Sequence, residues 1–120
     1  EKYAKKVVAA VETIQENIVK LDNLAHAPSA VDLSSSMVVN FVLGSSGKPA
    51  AMVYKLKEDI GAYVVSIRGS KECKVHLGRI VNEIATDLGG SGGGHDKACG
   101  AVVPKEKLQA FIKALDGRIA

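Results

Sequence analysis

The sequence predicts an α/β fold in which helices flank a mixed β-sheet. Two kinds of observation carry this. Several stretches repeat apolar residues at spacings of three and four, as amphipathic helices do. Between them lie a pair of β-like runs and a short strand, and mixed helices and strands imply helices layered on a sheet. The chain has 120 residues, 47% of them hydrophobic and 24% charged. That is one ordered domain with enough chain to bury a core unaided.

Residues 4–24 read as a helix, with Ala4, Val7, Val8, Val11, Ile14, Ile18, Leu21 and Leu24 on one stripe. Lys5, Glu12, Glu16 and Lys20 take the other side, and Glu16 and Lys20 form a favourable i,i+4 pair. With the linker that follows, this defines an N-terminal segment, residues 1–28. It serves as an interdomain connector or, as the favoured use, packs on its own domain, residues 29–120. Pro28 and Ser29 mark a break over 25–30, and Ala30–Leu33 suits a short strand. Ser34, Ser35 and Ser36 offer N-caps for a helix through Met37–Leu43 that ends near Gly44. Gly44–Pro49 is expected as a loop. Ala50–Lys57 and Ala62–Arg68 alternate as strands and form an antiparallel hairpin around Glu58–Gly61. Residues 72–88 give the clearest helix, closed by Gly89 as C′ residue. A glycine loop follows, then a strand over Ala98–Val103. Pro104 suits position N1 of a last helix that buries Leu108, Phe111, Ile112 and Leu115 and ends at Gly117.

Composition excludes several functional classes. No apolar run approaches the roughly 18 residues of a membrane-spanning helix, so no membrane partner is expected. The first residues lack the apolar region of a secretory signal. Two cysteines are too few for a disulfide framework, so a reduced, cytoplasmic setting is expected. The absence of an initiator methionine fits excision from a longer protein. The net charge of +3 permits a phosphate ligand without announcing a long nucleic-acid groove. Five scattered aromatic residues make a poor platform for stacking successive bases. Nucleic-acid contact is therefore expected to be short and directed at strand ends.

Half of the 12 glycines fall within residues 89–100. The run Gly89-Gly90-Ser91-Gly92-Gly93-Gly94-His95 invites comparison with phosphate loops. The Walker A pattern fails, because Gly94 is followed by His95 and Asp96, and the dinucleotide fingerprint fails at its third glycine. Both of those loops run strand–loop–helix, whereas this one is read as helix–loop–strand. Glycines still let a backbone approach a ligand closely, and successive amides can converge on an anion. His95 at the end of the run can donate to a phosphate oxygen or take part in proton transfer. Taken alone, such a run is more often a flexible connector with a surface histidine. Arg68 ends an apolar strand, where its planar fork suits a phosphate or carboxylate. Most arginines at such positions do nothing specific. Residues 66–100 carry five Lys/Arg against four Asp/Glu, a pocket's worth of charge. Cys73-x-x-His76 and His95-x-x-x-Cys99 have the look of zinc half-sites. Cys73 and His76 fall on different helix faces, however, so zinc is not favoured.

Ser66-Ile67-Arg68-Gly69-Ser70, a helix, and then Gly92-Gly93-Gly94-His95-x-x-Ala98-Cys99-Gly100 together resemble the DHHA1 domain. This is the C-terminal substrate-binding domain of the DHH phosphoesterases, among them RecJ-type exonucleases, oligoribonuclease-like proteins and cyclic-dinucleotide phosphodiesterases. The resemblance spans about residues 34–116 and is most specific at 66–68 and 92–100. It implies that Arg68 contacts a substrate phosphate, and that Gly92, Gly93, Gly94 and His95 hold the scissile or terminal phosphate. It also implies an N-terminal domain of the same protein that carries the Asp-His-His motif and binds manganese or magnesium. This chain has no such motif, so it is expected to be inactive alone, with no catalytic residue beyond a substrate-side assist from His95. The implied partners are that domain and a single-stranded nucleic acid, short oligonucleotide or nucleotide phosphate. The alternative is a non-catalytic module that binds RNA or tRNA, like the C-terminal domain of alanyl-tRNA synthetase. The glycine run of that relative lacks the histidine–alanine–glycine continuation. Two departures from the family pattern are Gly69, where serine is frequent, and Cys99, where alanine is usual.

Overall fold

The computed structural model describes residues 2–29 and 33–119. Four helices, α1 (Lys2–Asn17), α2 (Ser35–Ser46), α3 (Leu77–Asp87) and α4 (Leu108–Ile119), pack on a six-stranded sheet. The strands are β1 (Val19–Lys20), β2 (Leu24–Pro28), β3 (Ala50–Lys57), β4 (Ala62–Gly69), β5 (Ser91–Gly94) and β6 (Ala98–Pro104). Their order across the sheet is β1-β2-β3-β4-β6-β5, parallel at β2/β3 and antiparallel elsewhere. A mixed sheet flanked by helices is thus the observed fold class.

The first helix ends at Asn17 rather than near residue 24. The Asn17 side-chain amide donates back to the Thr13 carbonyl (2.7 Å), and β-branched Ile18 and Val19 lead into β1. Leu21 N–H donates to Leu24 O (2.8 Å) across the tight β1–β2 turn. The segment expected as a break is therefore a strand, buried on both faces from Leu24 to Ala27. The helical spacing misled because Ile18 serves one side of the sheet while Leu21 and Leu24 serve the other. Of the strand expected over Ala30–Leu33, residues 30–32 lie outside the described residues and Leu33 is a bend.

Helix α2 begins as expected. Ser34 is the N-cap, and its Oγ accepts from Met37 N–H (3.2 Å). The helix runs past Gly44 to Ser46, so only Gly47–Pro49 remain as loop. The β3–β4 antiparallel hairpin forms as expected, with Ala50 opposite Gly69 and Lys57 opposite Ala62, closed by a 3₁₀ turn at Glu58–Ile60. Helix α3 starts at Leu77, five residues later than expected. The preceding segment is held by other bonds: Ser70 N–H to Pro49 O (2.9 Å), Cys73 N–H to Ser70 O (3.0 Å) and Glu72 N–H to Ser70 Oγ (3.1 Å). At its far end Gly89, with φ +87°, is the C′ residue of a Schellman motif. Gly89 N–H donates to Thr86 O (3.1 Å) and Gly90 N–H to Ala85 O (2.8 Å). Pro104 closes β6 instead of opening a helix, because a 3₁₀ turn at Lys105–Lys107 intervenes; α4 then continues through Gly117 to Ile119.

The sheet separates two cores. The larger lies under α3 and α4, where Leu77, Val81, Phe111 and Leu115 pack on Met52, Val65, Ile67 and Val103. The smaller lies under α1 and α2, where Ile14, Val38, Val39 and Val42 pack on Ala25, Ala27, Ala51 and Val53. Asp116 ties α4 to the β1–β2 turn, its Oδ1 accepting from Asn23 N–H (2.8 Å). The Arg118–Glu83 pair (2.8 Å) is half exposed and adds little.

Phe111 is the largest fully buried side chain. Phe111→Ala should lower unfolding free energy by about 3–5 kcal/mol. Urea denaturation should show this as a lower midpoint at unchanged slope.

Candidate phosphate-binding face

Past the cover of α2, which reaches part of β4, the face of the sheet carrying the smaller core is left open. Val64 on β4 and Val102 on β6 are each 37% exposed there, and a shallow groove runs over Val64, Gly93, Gly100 and Val102. Residues directly opposite in an antiparallel ladder share a face. The registers therefore set out cross-strand rows on this surface. One is Ser66–Gly100–Gly93. The next is Arg68–Ala98–His95, because Arg68 pairs with Ala98 and His95 N–H donates to Ala98 O (2.9 Å). Arg68 and His95, far apart in sequence, thus flank one alanine, their Cα atoms about 10 Å apart at two strand spacings. Between and beside them the surface is built from Ala98, Gly100 and Gly93, so backbone is accessible to a ligand.

The glycine run is a strand, not the expected loop. Ser91–Gly94 is the edge strand β5, and the order of elements is helix–strand–turn–strand. Gly93 (φ +147°) and Gly94 (φ +143°) adopt backbone that other residues rarely reach, which explains why a strand is made of glycine. With His95 and Ala98 hydrogen-bonded, alternation along the ladder pairs Gly93 with Gly100 and turns the Gly92 and Gly94 peptide groups to the outer edge. The Gly92 carbonyl there accepts from Asn82 Nδ2 of α3 (2.7 Å).

Helix α3 fixes His95 from behind. His76 is its N-cap, with Nδ1 accepting from Arg79 N–H (3.1 Å). Leu77 N–H donates to Asp96 O (3.0 Å), and Gly78 N–H donates to His95 O (3.1 Å). Ile80 N–H donates to His76 O (3.2 Å). Ile80 thus makes the helix's first internal bond, and the amides of Leu77, Gly78 and Arg79, which a helix start leaves unpaired, are engaged within the chain. On the open face the polar side chains are those of Arg68 and His95, and the helix terminus is spent on the turn. Gly78 makes this contact possible, since a Cβ there would lie 2.2 Å from Gly94 O and 2.8 Å from His95 O. Gly78, Asn82 and His76 were not singled out from sequence for this role. A glycine in the first turn of a strongly amphipathic helix was the available signal.

Arg68 is half buried, and its Nη1 donates to Ile67 O (2.8 Å), using one of the guanidinium's five N–H donors. His95 is exposed. The Lys97 ammonium is tied back to the Cys73 carbonyl. Cys73 and Cys99 are both buried in the larger core, away from the open face. Burial pushes the Cys99 thiol up to about 11, outweighing the opposite pull of Arg68. Among the described residues, no three His, Cys, Asp or Glu side chains gather where they could hold a metal ion. Arg68 also puts a cation beside the one exposed histidine of this face. The arrangement is suited to an anion. No helix among the described residues is long and apolar enough to cross a membrane.

Two outcomes follow. Gly78→Ala should raise helix propensity by about 1 kcal/mol in isolation. Here it should instead destabilise the fold and displace the His95 and Asp96 amide resonances; a net gain in stability would contradict the docking of α3 on this turn. The second concerns Cys99, which keeps its proton in the folded state while the unfolded thiol ionises near 9.0. Its contribution is complete below pH 9 and should be lost as pH rises towards 11. Unfolding free energies measured across that range should fall more steeply for the parent chain than for Cys99→Ala.

Comparison with known proteins places this geometry. The family model of the DHHA1 domain matches residues 22–120. Two uncharacterized proteins of Methanocaldococcus jannaschii are 41% identical over 66 residues and 36% identical over 73 residues. These matches cover 52% and 59% of this chain but only 15% and 22% of those proteins. Among solved structures, the pGpG-specific phosphodiesterase PggH of Vibrio cholerae superposes with a TM-score of 0.70 at 17% identity, over 98% of this chain and 40% of that one. The C-Ala domain of Aquifex aeolicus alanyl-tRNA synthetase gives 0.63 at 15% identity, over 86% and 97% respectively. These structural likenesses establish the fold alone. The family match spans everything after β1 and includes Arg68, the β5 glycines and His95, and the chain belongs to the DHHA1 domain family.

Proposed function

We propose that this domain is the substrate-binding half of a metal-dependent DHH phosphodiesterase acting on single-stranded DNA or RNA ends or short oligonucleotides. One observation carries the reading. Arg68 and His95 stand in one row of an uncovered sheet face, with only Ala98 between them and side-chain-free Gly93 and Gly100 beside them. In this reading the Arg68 guanidinium takes two oxygens of a phosphate, the geometry its fork favours. His95 donates to an oxygen of the same or the adjoining phosphate. The outer amides of Gly92 and Gly94 supply neutral donors at the strand edge. Small residues beneath let the phosphate lie close to these groups, which strengthens each bond by excluding water.

The resemblance assigns manganese or magnesium to an Asp-His-His domain of the same protein, where the ions would activate water and steady the leaving oxygen. This chain's task would be to hold the phosphate in line with that centre. The short row fits one or two phosphates, which favours strand ends and short substrates over long single strands. The exposed Val64 and Val102 lie on the same face and suit contact with that second domain.

Titration with a 5′-phosphorylated dinucleotide should shift the NMR signals of Arg68, Gly93 and His95. His95→Ala should weaken binding about tenfold or more, as expected for one lost charge-assisted hydrogen bond. In the full-length protein the same substitution should sharply lower turnover of a short oligonucleotide. Shifts confined to other residues, or unchanged turnover, would refute the assignment. Tight binding of a structured RNA with the dinucleotide inert would point instead to a non-catalytic module of the alanyl-tRNA synthetase kind.

A further inference from the structure

On the opposite face of the sheet, where α4 crosses the β1–β2 edge, lies a second cavity of about 650 Å³. Its size falls within the range of small-molecule sites, roughly 300–1,000 Å³. Leu21 and Ile112 form apolar walls, and His26 and Tyr54 meet at its floor. His26 is 7% exposed, an unusual depth for an imidazole, and its Nδ1 lies 3.1 Å from the Tyr54 hydroxyl. Among the described residues its Nε2 has no hydrogen-bond partner, yet it is not sealed from solvent. That nitrogen therefore opens into the cavity that His26 lines. Burial disfavours the charged form of His26, and its ring presents a hydrogen-bonding edge to the cavity. Lys113, exposed, stands at the rim, as does Asp116, whose Oδ1 is already taken by Asn23 N–H.

Aliphatic walls, a polar floor and a cation at the mouth are filled together by few ligands. A hydrocarbon chain would leave the imidazole and phenol unpaired. A bare phosphate would leave the apolar walls wet. We propose that this cavity binds a mononucleotide, with the edge of the base on His26 and Tyr54, the ring between Leu21 and Ile112, and the phosphate on Lys113. The free carboxylate oxygen of Asp116 is placed to accept from a ribose hydroxyl. This site does not depend on the function proposed for Arg68 and His95, which lie on the other side of the sheet.

The test is an NMR titration of the intact chain with adenosine or guanosine 5′-monophosphate, and with ribose 5-phosphate as a base-free control. The nucleotide should give saturable shifts at His26, Ile112 and Lys113, and the control should give none there. Tyr54→Phe should weaken this binding about tenfold. Lys113→Ala, at an exposed position that does not threaten folding, should weaken it severalfold. Shifts confined to Arg68, Gly93 and His95 would overturn this site while leaving the first intact. Equal responses to nucleotide and ribose 5-phosphate, or Lys113→Ala without effect, would overturn it as well.

Discussion

The docking of α3 on the backbone of Gly94, His95 and Asp96 is the contact on which the open face depends. Helix starts normally seek a capping side chain and an external acceptor for their remaining amides. Here His76 supplies the cap, and the turn after β5 supplies the acceptors through the His95 and Asp96 carbonyls. The bonds are directional, so they fix the path of the turn as well as its position. Gly78 brings the two backbones close enough to form them. His95 is thus exposed in its side chain and anchored in its main chain, a combination suited to a residue that must meet a ligand without searching for it.

The sheet distributes its two faces unequally, and the inequality explains the placement of both candidate sites. Helices α3 and α4 cover one side with large aliphatic and aromatic residues. Helices α1 and α2 cover β2, β3 and part of β4 on the other, against alanines and a valine. Small residues let α2 approach the sheet closely, but its cover stops short of β6 and β5. Beyond it the pleat presents Ser66, Arg68, Ala98 and Gly100 to solvent. The covered side closes well over its centre and less well at the β1–β2 edge, since β1 is only two residues long. His26 lies where that cover runs out.

Much of this was legible in the sequence, because strong local signals and tertiary demands agreed. The Ser34 cap, the β3–β4 alternation, the Gly89 stop and the Phe111 stripe each had a mechanism that the fold kept. The failures share a different cause. Residues 18–24 kept a helical spacing while facing opposite sides of a sheet, and the 3.6-residue period could not tell that from a single stripe. The glycine run offered no side chains to alternate, so nothing in it signalled a strand; its pairing with β6 is a tertiary fact. Arg68 and His95 were both singled out, but their shared row follows from the β4/β6 and β5/β6 registers, which one sequence does not reveal.

The two departures from the family pattern can now be weighed by where they point. Cys99 alternates with Ala98 and Gly100 along β6, so its side chain enters the larger core while theirs face the open surface. Exchanging alanine for cysteine there changes packing behind the row without altering the row itself, and a thiol kept protonated by burial adds no charge near Arg68. Gly69 differs in kind. A Cβ at this position would come within 2.8 Å of Leu77 Cδ1 and 3.3 Å of Cys73 Cβ, at the start of α3. A serine there would press on the helix that holds His95. Both departures thus lie on the side of the larger core, and neither touches the surface where Arg68 and His95 face a ligand.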